Sequence, residues 1–210
     1  MPQTDRPRQR AVREDHIRNH EKLLDAAVEL FDKQGVDVPL KEIGAHANVS
    51  QASVFRHFAN REQLIIELYD RSSTDLTNRL LAAIAGTRDA TAAHRLDVVF
   101  TTVVDTVTDH PSYGRLAALG ATLNPDRTTE PALVEELHQL IGDAQHAGLL
   151  ASDVTGFDLI VSPMLVGSML TQSAGAAAMV PRMMTIMRRG LTPQTTGTPS
   201  ASCASTISEP

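Results

Sequence analysis

Apolar positions recur at intervals of three and four, the period of an α-helix, from near the N-terminus to about residue 190. Leu23, Leu24, Ala27, Leu30 and Phe31 share one face and predict a helix from about Asp15 to Gln34, with Gly35 as its C′ residue. Pro39 suits the first position of a second helix running through Leu40, Ile43 and Ala47. Asn48 follows where a left-handed turn residue is needed, and Asn tolerates that conformation. Ser50 is an N-cap for a short third helix ending near Phe58. Asn60 caps a fourth, with Gln63 three residues on as in a capping box. Its stripe is Leu64, Ile65, Leu68, Ser72, Leu76, Leu80 and Ile84, and it runs to Ala85 with Gly86 beyond. Further helices are expected near 90–109, 111–123, 131–147, 156–175 and 179–190. The loop NPDRTTEP separates the second and third of these, and Pro163 predicts a kink or interruption in the fourth. No segment alternates with the period of a strand, so the fold class is all-α.

The segment LKEIGAHANVSQASVFRHFANREQL, residues 40–64, carries the functional signal. Leu40, Ile43 and Ala47 face inward from one short helix, Val49 plugs the turn, and Val54 and Phe58 face inward from the next. Two short helices joined by so tight a turn form a helix-turn-helix. Small Ala45 and Ala52 permit close approach, while Gln51, Ala52, Ser53, Phe55, Arg56 and His57 stay on outward or N-terminal surface. A helix presented in this way enters the DNA major groove by its N-terminal end, where dipole and free amides attract phosphate. Gln51 suits a base edge, adenine best. Ala52 lets the backbone come near the bases, and Ser53, His57 and Arg61 suit phosphate oxygens.

This stretch, extended upstream as PLKEIGAHANVSQASVFRHFANREQL and preceded by LLDAAVELFDKQG, resembles the DNA-binding domain of the TetR family of bacterial repressors. Members commonly read PL-(D/E)-EIA-x-x-AGVS-x-(G/A)-TLY-(R/H)-HF-x-x-(K/R)-E-x-L here, and the likeness covers about 50 residues. The resemblance implies an N-terminal three-helix DNA-binding domain and a divergent C-terminal helical bundle for ligand binding and dimerisation. It also implies a homodimer and repression relieved by a small molecule. It places Gln51, Ala52 and Phe55 on base-contacting positions and Ser50, Ser53, His57 and Arg61 on phosphate-contacting ones; Arg56 suits either. Asn48 stands for the family's Gly, Ser53 for its Thr, and Phe55 for its Tyr, which removes a phosphate-reaching hydroxyl. Phe55 then meets a thymine methyl or packs on the first helix, and His57 meets phosphate or serves as a capping or surface residue.

The division expected is a basic, disordered arm at 1–12, the DNA-binding domain at 13–60, a ligand-binding and dimerisation domain at 61–190 and a disordered tail at 191–210. In the arm, Arg6, Arg8 and Arg10 either reach the minor groove or stay solvated. Overall net charge is −6, but residues 1–61 carry +1 and the remainder −7, so contact with double-stranded DNA belongs to the first third. A lone Cys203 and a polar N-terminus read as a cytoplasmic protein. The uncharged stretch Leu159 to Val180 is broken by Pro, Gly, Ser, Thr and Gln and does not read as a membrane span.

Candidate cavity walls are Phe100, Val104, Leu116, Leu119, Leu137 and Met164, around a small, mainly apolar effector. The apolar surface of Leu165, Met169, Val180 and Met184 suits the dimer interface that the resemblance places on the last two helices. Methionines there serve the core, the interface or the ligand. Two recognition helices about 34–36 Å apart, or a multiple of that, would read a pseudo-palindromic operator. Glu135 and His138 have the spacing of a metal pair but no matching second pair, so exposed polar faces are the expectation, with no metal or cofactor. No nucleophile elbow or phosphate loop argues for an enzyme. The competing binding class is a ligand-independent DNA organiser, which a filled interior would favour.

Overall fold

The computed structural model describes residues 6–170 and 180–193, and every regular element among them is an α-helix. In order these are α1 (Arg6–Gln34), α2 (Leu40–His46), α3 (Gln51–His57), α4 (Arg61–Ala85), α5 (Ala92–Asp109), α6 (Tyr113–Leu123), α7 (Pro131–His146), α8 (Gly156–Leu170) and α9 (Val180–Gly190).

The local signals act where the sequence puts them. Gly35 ends α1 at φ +86°, and Asn48 takes φ +55° in the α2–α3 turn. Ser50 caps α3 by accepting the Ser53 amide, and Asn60 caps α4 by accepting the Gln63 amide at 2.9 Å. Gln63 returns a bond to the Ala59 amide, one residue before the cap. Pro39 precedes Leu40 as the N-cap of α2 rather than entering the helix.

Two expectations change. α1 begins at Arg6, so the basic stretch 6–12 is its first two turns and not a disordered arm. Arg, Gln and Ala are strong helix formers, and Pro7 falls in the first turn, where a missing N–H costs nothing. Of the kink or interruption expected at Pro163, the interruption does not occur, since Pro163 lies inside α8.

The buried side chains fall into two main clusters that meet along α4. The first joins Leu23, Ala27 and Phe31 of α1 to Ile43, Val54 and Phe58 and to Leu64, Ile65 and Leu68 of α4. The second joins Leu76, Leu80 and Ile84 of α4 to α5, α6 and α7. The N-terminal core therefore extends past residue 60, through the first two turns of α4. Leu191 packs on Phe100 and its carbonyl accepts the Ala151 amide at 2.9 Å, so the chain is anchored at the start of the stretch expected to be tail; residues 194–210, with Cys203, lie outside the described residues.

Polar bonds also join the two halves. Asp32 on α1 accepts the backbone amide and hydroxyl of Ser112 at 3.0 and 2.7 Å and pairs with His110, which ties α1 to the start of α6. Higher up, α6 presses on α4 at Gly120, where a Cβ would overlap the Tyr69 ring. Replacing Gly120 by Ala therefore sets an overpacking cost of about 1–3 kcal/mol against a helix-propensity gain of at most about 1 kcal/mol. Urea unfolding should show G120A less stable than the parent; equal or greater stability would mean that α4 and α6 are not locked at this crossing.

Candidate nucleic-acid interface and internal cavity

α3 is held by one face and free on the other. Val54 and Phe58 are buried, and Gly44 brings α2 close enough that a Cβ there would stand 2.6 Å from Val54 Cγ2. The close approach expected of Ala45 and Ala52 thus belongs to Gly44, while both alanines are exposed. Ser50, Gln51, Ala52, Phe55 and Arg56 are exposed together. Phe55 is 52% exposed, which decides against packing on α1. Ser53 is partly covered; its hydroxyl oxygen accepts from Arg56 at 2.7 Å and from the Ser50 hydroxyl at 3.1 Å.

Two expected phosphate ligands sit differently. Arg61 is turned inward, where its guanidinium donates to the Val36 carbonyl and to Asp37 at 3.1 Å, holding the α1–α2 loop. Asp37 is shared with Arg115 of α6 at 3.1 Å. His57 turns toward α1, with its ring 4.1 Å from His16 and 5.4 Å from His20. His20 stacks on Phe58 and pairs with Glu67. Burial, then the nearby His16, His20 and Arg56, hold the His57 pKa below its ordinary 6.5, against a smaller upward pull from Glu67.

The expected cavity residues separate into three groups. Leu137 and Met164 line a cavity of about 800 Å³ among α4, α6, α7 and α8. Phe100 lines a smaller space of about 400 Å³ on the far side of α5, and Val104 packs beside it with Met187. Leu116 and Leu119 instead face the N-terminal core. The sequence reading missed the polar wall, which includes Tyr69, Ser73, Tyr113 and Arg127. Its signal was the opposite face of α6, where Tyr113, Ala117 and Ala121 recur every fourth residue. The dimer candidates Leu165, Met169, Val180 and Met184 have side chains outside the described residues. Glu135 is exposed and accepts from Gln139 at 2.7 Å, and His138 stands exposed at the cavity edge.

Residues 23–68 match the family model of the bacterial regulatory proteins of the tetR family. The likeness is to that family's DNA-binding domain, over residues 23–68. An uncharacterized HTH-type transcriptional regulator of Bacillus subtilis, YvkB, is 39% identical over 57 residues, which span 27% of this chain and 30% of that protein. The TetR fold extends further than the sequence likeness. The TetR regulator SCO0520 of Streptomyces coelicolor superposes with a TM-score of 0.54 at 22% identity, covering 83% of this chain and 98% of that one. The ketosteroid regulator KstR2 of Mycobacterium tuberculosis gives 0.55 at 17% identity, covering 83% and 95%. Among the described residues no helix is long and apolar enough to cross a membrane.

The His57 environment gives a pH dependence of fixed sign. Its neutral form is favoured in the folded state, so the unfolded chain takes up the proton first. That stability is fully present above about pH 6.5 and is lost as the pH falls through the unfolded value toward the lower folded one. Thermal melts from about pH 7.5 to about 5.5 should show falling stability in the parent and a shallower fall in His57→Phe. Parallel curves for the two proteins would remove His57 as the source.

Proposed function

We propose that the protein is a sequence-specific transcriptional regulator of double-stranded DNA, acting as a homodimer on a pseudo-palindromic operator. It represses until a small, mainly apolar effector fills the 800 Å³ cavity. The exposed face of α3 carries the reading: Gln51, Ala52, Phe55 and Arg56 stand together at the surface on a helix capped by Ser50, and they match the TetR motif. Gln51 reads a base edge, Ala52 and Phe55 make close apolar contact, and Ser50, Ser53 and Arg56 meet the backbone. His57 and Arg61 act behind that face, one bracing α3 on α1 and the other holding the loop after α1. Two copies supply the contact area that one short helix lacks.

The cavity favours an effector over a ligand-independent organiser, because its volume lies within the range of small-molecule sites. Tyr69 offers a route to the interface, since it lines the cavity and also packs against the N-terminal core. An effector that binds one setting of α4 and α6 better than another shifts the population of recognition-helix positions. The match of residues 23–68 to the tetR-family model supports a regulator over an enzyme, and retained DNA binding without turnover would separate the two.

Selection of bound sequences from random duplexes at two salt concentrations tests the reading. Gln51→Ala should relax preference at one base pair per half-site, worth about 1–3 kcal/mol. Arg61→Ala should weaken all sequences by destabilising the domain while leaving the salt dependence unchanged. A salt slope smaller by about one would restore Arg61 as a phosphate ligand. Unselective binding by the parent protein would defeat the proposal.

A further inference from the structure

The large cavity has two unlike ends. Its apolar body lies among Leu80, Leu133, Leu137, Val154, Ile160 and Met164. At the other end four donor-bearing side chains converge. The Arg127 guanidinium lies 5.1 Å from the centre of the Tyr69 ring. Tyr113 is buried, hydrogen-bonded to Ser73, and within electrostatic reach of both Tyr69 and Arg127. Burial pushes its hydroxyl up to about 12, so it keeps its proton as a donor at neutral pH. Among the described residues that line the cavity there is no Asp or Glu; the basic side chains are Arg127 and, at the edge, His138. Two carboxylates stand nearby, and Asp75 is within electrostatic reach of Tyr113. Asp70 accepts from Arg127 Nε at 2.8 Å, and Asp75 is paired with Arg79 at 2.7 Å. The bond to Asp70 uses Nε and leaves the Nη donors of the fork for a ligand.

We infer that the cavity takes an amphiphile with a single carboxylate head, the head bound by Arg127 with Tyr113 and Ser73, and the apolar body lying between α4, α7 and α8. This assignment rests on the effector reading and narrows it. A carboxylate suits the site because it accepts several hydrogen bonds at once from a guanidinium and neighbouring hydroxyls. An amine would meet donors and positive charge, and an alcohol would make one or two of the same bonds without the charge. Asp70 tempers the guanidinium in the empty site and competes with the head for it.

The test uses the full-length protein and three probes of equal chain length, decanoate, 1-decanol and decylamine, below their micelle concentrations. Calorimetry reads binding, and fluorescence anisotropy reads release of a selected duplex. Decanoate should bind at least about tenfold more tightly than the other two. Arg127→Gln should bring decanoate down to the level of decanol and leave decanol unchanged. Asp70→Asn should tighten decanoate a few-fold, a gain that a misfolded variant does not produce. Equal binding of the three probes, or preference for the amine, overturns the carboxylate assignment and leaves the effector reading standing. Selective, Arg127-dependent decanoate binding without change in DNA affinity upholds the assignment and overturns the effector reading. Failure of all three to bind overturns the assignment, and DNA release by other compounds would then show the effector reading intact.

Discussion

A helix of seven residues has too few internal hydrogen bonds to hold itself in water, and α3 exists because Val54 and Phe58 are buried beneath it. Burying side chains of this size contributes about 1.5–3 kcal/mol each. The burial also fixes the rotation of α3. With Val54 and Phe58 inward, Gln51, Ala52, Phe55 and Arg56 must point away. Gly44 sets how deep the helix sits, and Asn48 sets the angle at which it leaves α2. Removing the anchoring pair would take this exposed surface with it, whatever residues the surface carries.

The same cluster continues into α4, and this makes the molecule more than two domains in a row. Leu64, Ile65 and Leu68 belong to the core that supports α3, and Leu76, Leu80 and Ile84 belong to the core around the cavity. Tyr69 and Asp70 lie between these sets, beside the Gly120 crossing and Arg127. α6 is joined to α1 a second time by Asp32. A change at the polar end of the cavity is thus one side chain away from the N-terminal core, through packed groups with little room to yield.

Most of the architecture was legible in the sequence because it rests on local signals. Helical period, Ser50 and Asn60 as caps, and Gly35 and Asn48 as left-handed turn residues each act within a few residues of themselves. What the sequence hid depends on distant contacts. The inward turn of Arg61 requires Val36 and Asp37, and the turn of His57 requires His16 and His20 on α1. The cavity walls were misread for a similar reason. Leu116 and Leu119 share α6 with Tyr113, but they occupy the face that meets the N-terminal core. Periodicity identifies an apolar face without saying which of two cores it enters. The start of α1 was missed because a basic run reads as a disordered arm unless the helix behind it is long enough to extend.

Whether α3 is the element that meets DNA is read by amide hydrogen exchange on the protein with and without a selected duplex. Slowing on DNA binding is expected to be greatest over residues 50–57, with smaller changes at the start of α4. Unchanged exchange over 50–57, with slowing confined to α5–α8, would contradict that role for α3.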